Sequence, residues 1–276
     1  QILSRNKWNN KRVVYIPSLN NEKKYLNEVK YIKLQNKTIK MSHTMRIEFD
    51  KDKKVIRFTQ TNPTDWVLMS GGNFSNWQIY LKGMPYSTQD QIISTQRFNK
   101  FGLTGCLNIY DSLIDNTFFS ITNGACEDSI NIIDSKGKEV ILNVENALAD
   151  ALDVDFSKLS IKSLNVKTAG NDCFDVSGGK YVITKAKLDG CKDKAISIGE
   201  KSNFYADTIS VTRSNIAVSA KDLSRAKILN MTAKDVALCT EVKQKKQEFG
   251  GANLFLKKFD CSASIDVDSE STYFSG

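Results

Sequence analysis

Between residues 128 and 243 the chain alternates apolar and polar positions in a pattern that returns every 22 residues. Frames opening DSINII at Asp128, DALDVDF at Asp150, DCFDVSG at Asp172, KAISIGE at Lys194, IAVSAKD at Ile216 and LCTEVKQ at Leu238 align without a gap. Their third positions read Ile130, Leu152, Phe174, Ile196 and Val218, and their fifth Ile132, Val154, Val176, Ile198 and Ala220. A period of two over a short run is that of a strand with one face in a core. The positions between are small or polar: Ser129, Ala151, Cys173, Ala195 and Ala217 at the second, then Asn131, Asp153, Asp175, Ser197 and Ser219 at the fourth. Alternation places them on the outward face.

A second alternating run recurs in the same frames as Leu142 and Val144, Leu164 and Val166, Ala186 and Leu188, Ile209 and Val211. Each repeat therefore carries at least two strands. One repeat cannot bury its own inward face, so the core must come from stacking repeats at the inter-strand spacing of about 4.8 Å. The predicted fold is all-β, a right-handed parallel β-helix with coils of about 22 residues. The LxxLxLxxN signature of leucine-rich repeats is absent, and the repeats show no helical periodicity.

Upstream the period loosens, and VIRF from Val55, WVLM from Trp66, WQIYL from Trp77 and CLNIY from Cys106 read as irregular earlier coils. The whole chain, 1–276, reads as one β-helix domain. An N-terminal cap and first irregular coils occupy 1–54, further irregular coils 55–127, regular coils 128–261, and a C-terminal cap or tail 262–276. Segment 21–34 fits either an amphipathic helix or a strand, and capping is its expected use, because an open solenoid end exposes strand edges.

Composition narrows the function classes. No apolar run reaches the length of a membrane span, and the chain opens at Gln1 with no leader of signal type. Its 39 Lys+Arg against 31 Asp+Glu give a net charge of +8, which favours an acidic partner. Aromatics interleaved with basic runs are missing, so no nucleic acid is expected. The single histidine, His43, lies far from the repeats, which excludes a histidine-based triad or zinc site there. Six cysteines fall in pairs about one coil apart: Cys106 with Cys126, Cys173 with Cys191, Cys239 with Cys261. Equivalent positions on neighbouring coils lie within disulfide reach, so the pairs are either staples of a secreted or cell-surface protein or reduced, buried thiols.

Acidic residues crowd the outward face of coils 128–177. Asp153 and Asp155 share a strand with Asp150, and Asp172 and Asp175 follow on the next coil, with Lys194, Glu200, Lys221 and Lys243 beyond. Carboxylates so close require a shared proton, a cation or a lysine partner. A shared proton gives a general acid and base, and a Ca²⁺ ion among Asp153, Asp155 and Asp175 would hold a uronate carboxylate for lysine chemistry. No other cofactor is required. At the strand entrance, Asp128, Asp150 and Asp172 have a purely structural alternative, since Asx side chains bond nearby backbone there. The catalytic candidates are Asp150, Asp153, Asp172, Asp175, Lys194 and Lys221. The substrate-binding candidates are Asn131, Asp155, Asn171, Ser197, Glu200 and Lys243.

The series ADALDVD, GNDCFDVSGG, CKDKAISIGEKS and IAVSAKD resembles, in order and spacing over about residues 140–225, the NTDGID, GDDC, GHGxSIG and RIK motifs of the polygalacturonase family of pectin hydrolases, members of the pectate-lyase-like β-helix superfamily. The resemblance implies that Asp150, Asp172 and Lys221 match functional residues, and that Cys173 and Cys191 match a disulfide. Asn171, Lys194 and Ser219 depart from it, standing where that family has Asp, His and Arg. The expected function is cleavage or remodelling of an acidic polysaccharide on the outward face. The competing reading is a non-catalytic carbohydrate-binding or structural surface module.

Overall fold

The computed structural model describes residues 29–34, 37–85 and 97–276. The described chain is a parallel β-solenoid of about 10 turns. Its early strands are β1 (Val29–Leu34), β2 (Lys37–Ser42), β3 (Arg46–Asp50), β4 (Val55–Thr59), β5 (Val67–Ser70) and β6 (Gln78–Lys82). Next come β7 (Gly105–Tyr110), β8 (Phe118–Thr122), β9 (Asp128–Ile133), β10 (Lys136–Ala147), β11 (Asp150–Asp155), β12 (Lys158–Ala169) and β13 (Asp175–Ser177). The last are β14 (Lys180–Gly199), β15 (Asn203–Lys221), β16 (Arg225–Lys243), β17 (Asn253–Asp260), β18 (Ser264–Val267) and β19 (Thr272–Ser275). The four upstream runs read as irregular coils fall on β4, β5, β6 and β7.

Each regular coil has three sides, one more than the alternating runs displayed. On the first, Leu152 pairs with Ile130 and Val154 with Val176, and both inward columns are fully buried. On the second, Leu159, Tyr181, Phe204, Ala226 and Leu254 stack in register. The third stacks Leu142, Leu164, Ala186, Ile209 and Met231, also buried. One continuous core results, because every side sends alternate side chains to the same axis.

The chain turns off the first side through a left-handed residue on successive coils: Asp111, Asp134, Phe156, Gly178, Glu200 and Asp222 all have φ between 45° and 61°. Left-handed backbone costs an L-residue about 1–2 kcal/mol. Here the inter-coil hydrogen bonding continues through the corner and offsets it: Asp111 N–H donates to Ile133 O at 3.1 Å, Asp134 to Asp155 at 3.0 Å, Phe156 to Ser177 at 2.8 Å and Asp222 to Lys243 at 3.2 Å.

Residues 29–34 form a strand, antiparallel to β2, and β2 runs antiparallel to β5, so the first coils are closed by reversed strands. Residues 21–28 lie outside the described residues. The stretch from Ser264 is a further coil, with β18 parallel to β16 and β19 parallel to β17.

All three cysteine pairs are joined: Cys106–Cys126 and Cys173–Cys191 with Cα atoms 5.4 Å apart, and Cys239–Cys261 at 6.1 Å. They explain why the second-position column is not a free surface. Ala151, Cys173, Ala195 and Ala217 are fully buried and belong, with Ala147, Ala169 and Cys191, to the one hydrophobic core. Only small side chains or a disulfide fit there. Among the described residues no helix is long and apolar enough to cross a membrane.

Candidate functional site

The fourth positions of the first side form one column. Asn108 pairs with Asn131, Asn131 with Asp153, Asp153 with Asp175, Asp175 with Ser197, Ser197 with Ser219, and Ser219 with Glu241. Mid-strand and pointing away from the core, these side chains are set by strand parity alone. Asp153 and Asp175 remain partly exposed, whereas Ser197 and Ser219 are fully buried beneath longer neighbours.

The acidic half resolves into two groups with different work. At the strand entrance, Asp150 Oδ1 accepts the backbone N–H of Asp172 at 2.8 Å and the side-chain amide of Asn171 at 2.7 Å. Asp172 Oδ1 in turn accepts the N–H of Lys194 at 2.9 Å, with the Lys194 ammonium at 3.6 Å. Each carboxylate thus satisfies the entrance amide of the coil above. In mid-strand, Asn131 Nδ2 donates to Asp128 at 3.1 Å and to Asp153 at 3.0 Å, while its Oδ1 is buried with no partner. Asp155 is buried in the sixth position, next to Ser177.

Burial and proximity raise Asp128, Asp150, Asp153, Asp172 and Asp175. Asp150 is pushed up to about 8 by burial, then by the charges of Asp128 and Asp172, against the bond from the Asp172 amide. Asp128 reaches about 7, chiefly through burial. Burial and the neighbouring Asp128, Asp155 and Asp175 lift Asp153 well above the ordinary range. Asp175 and Asp172 are raised by burial too, each partly relieved by a lysine, Lys221 and Lys194 respectively. A carboxyl raised as far as Asp150 or Asp128 can hold the proton that a general acid donates.

The basic half lies on the following coils. Lys221 leans back across Gly199, where a Cβ would stand 3.9 Å from its Cε, and donates to Ser197 Oγ at 2.7 Å, beside Asp175. Burial lowers its pKa, and Lys245 adds to the effect. Lys194 is held by Asp193 and has its pKa raised: burial works against the charge, and hydrogen bonding to Asp193 with the charge of Asp172 outweighs it. Lys243 pairs with Glu241, which also accepts the Ser219 hydroxyl at 2.7 Å. Burial disfavours the Glu241 charge, but its bonds with Lys243 and Ser219 prevail and lower its pKa.

The structure therefore brings Asn131, Asp153, Asp175 and Ser197 into one column, with Lys221 reaching into it, and Asp150, Asn171, Asp172 and Lys194 into the entrance column. Glu200 is removed to the corner, where it pairs with Lys246. Glu241 escaped the sequence reading although it occupies the fourth position of its frame, the place held by Asp153 and Asp175. Among the described residues no group of three or more His, Cys, Asp or Glu side chains is arranged to hold a metal ion.

No protein-family model matches the chain, and no curated protein sequence matches it.

Proposed function

We propose that this protein cleaves an acidic polysaccharide laid along the fourth-position column of the first side. The observation that carries the reading is the meeting of acid and cation in one column: Asp175, whose pKa burial raises, lies beside the charge of Lys221, whose ammonium is bonded to Ser197 on the coil between them. Asp153 and Asp175, neighbours across two strands, supply the pair that hydrolysis needs: the protonated one donates to the glycosidic oxygen as its C–O bond breaks, and the ionised one takes a proton from the water that adds to the anomeric carbon. Lys194, Lys221 and Lys243 hold the sugar carboxylates, which explains why acids and lysines divide the face between successive coils. Asn171 fits this division, since its amide donates to Asp150 where a third carboxylate would repel it. The coil is taken as right-handed, the hand of nearly all parallel crossovers, and three disulfides support export. The chemistry described requires no metal ion.

A second reading, a non-catalytic glycan-binding module, is favoured by the entrance column, where Asp150 and Asp172 are spent on backbone amides. Incubation with polygalacturonate and other uronate polymers, reading new reducing ends beside equilibrium binding, separates the two. Binding without new ends over a range of pH would overturn cleavage and leave the module.

A further inference from the structure

A separate trough of about 930 Å³ lies on the early coils, round the corner from the acidic column. Its size falls in the range of sites that enclose small ligands, roughly 300–1,000 Å³. Four lysines line it, Lys37, Lys51, Lys54 and Lys136, against two carboxylates, Asp111 and Asp134. Among the described residues none of the four lysines forms an ion pair with a carboxylate.

The lysines are placed by the fold. The carboxylate of Asp50 accepts the N–H groups of Asp52 at 3.1 Å and Lys53 at 3.0 Å, which fixes the turn of the β3–β4 hairpin. Lys53 pairs with Asp50 while Lys51 and Lys54 line the trough. Lys37 lies over the rings of Phe74 and Trp77, its ammonium 5.3 and 5.1 Å from their centroids. Its stem runs across Gly72, where a Cβ would meet Lys37 Cγ at 2.8 Å, so the glycine is what lets the side chain lie flat. Burial, and after it the nearby charge of Lys54, lower the Lys37 pKa.

We infer that this trough is a second anion site, which binds the carboxylate or sulfate groups of an acidic glycan away from the acidic column. Only the identity of the ligand as a glycan rests on the function proposed above. Asn73, Ser75, Asn76 and Ser112 supply hydroxyl-binding groups among the lysines. Trp77 is 6% exposed and covered by Lys37, so it offers no stacking platform for a nucleic-acid base.

The test is a titration of the whole protein at about 50 mM salt, where screening is weak, with tryptophan fluorescence and calorimetry as readouts. The probes are polygalacturonate, dextran sulfate, neutral dextran and oligothymidylate. The two anionic glycans distinguish carboxylate from sulfate recognition, and neutral dextran should not bind. The double variant Lys37→Met with Lys54→Met, which keeps the apolar stems, should weaken binding about tenfold or more, while Lys162→Met, outside both the trough and the column, leaves it within about twofold of the parent and both keep the parental melting temperature. Lys136→Glu, on another strand, should weaken it as well. The inference is overturned if neither anionic glycan binds, if the lysine variants bind like the parent, or if oligothymidylate binds more tightly than both glycans. Binding lost only in Asp175→Asn would also overturn it, and would leave the cleavage reading standing.

Discussion

The carboxylate of Asp150 accepts the backbone N–H of Asp172, one coil further along, at 2.8 Å. This bond needs only an acceptor oxygen, yet the side chain that supplies it is an acid whose pKa folding raises from 3.8 to about 8. The folded protein therefore keeps a proton that the unfolded chain releases near pH 4. Stability linked to this group is complete below that pH and is lost as pH rises toward 8.

Asp150→Asn retains an acceptor and removes the titration. Denaturant midpoints at pH 4, 6 and 8 should fall with pH more gently in the variant, by up to about 1.4 kcal/mol per pH unit within the window. An identical pH slope in parent and variant would show that Asp150 is ionised in the fold.

Phe174 is fully buried and meets the ring of Phe204 at 6.2 Å between centroids, joining the first side of one coil to the second side of the next. Phe174→Ala should lower the unfolding free energy by about 3–5 kcal/mol in urea titrations. A loss below about 1 kcal/mol would mean that the core closes over the space.

Asp175→Asn and Lys194→Met should each abolish release of reducing ends from a uronate polymer while shifting the melting temperature by no more than a few degrees, because neither touches an inward column. Loss of turnover accompanied by unfolding in both would make the ladder structural and withdraw its role in cleavage.

Intact mass after alkylation without reductant should show no modified thiol, since all six cysteines are paired. Replacing Cys173 and Cys191 with alanine opens a loop of 18 residues and should cost about 3 kcal/mol on the chain-entropy account. Six alkylated thiols in the untreated protein would contradict the pairing.

The first side was legible because its columns repeat at a fixed 22 residues, and the third because its alternation persists through one step of 23, from Ala186 to Ile209. The second side was not: its inward column changes from Leu159 to Tyr181, Phe204 and Ala226, and its step from Ala226 to Leu254 takes 28 residues, which breaks any fixed frame. The corner residues carried no common signal, because backbone bonding between coils, not side-chain type, holds Asp134, Phe156 and Glu200 in the same left-handed conformation. Parity alone predicted an open outward face. The small residues of the second column are instead buried in the core, a placement that strand alternation does not encode. In the site, the polar column was visible as a list of residues, and its division of labour was not. Whether an aspartate bonds an amide above it or meets side chains of the column depends on a shift of three positions along the strand, as between Asp172 and Asp175.

In a solenoid each coil leans only on the coils beside it, so the stack can peel from an exposed end one turn at a time. The three disulfides sit early, midway and late along the axis, each clasping a coil to its successor. A pulling force on the last coil cannot extend the loop that Cys239–Cys261 closes, nor the one that Cys173–Cys191 closes among the turns that carry Asp153 to Lys221. A protease that cuts within such a loop leaves the two pieces joined, and a reductant frees the full length of all three.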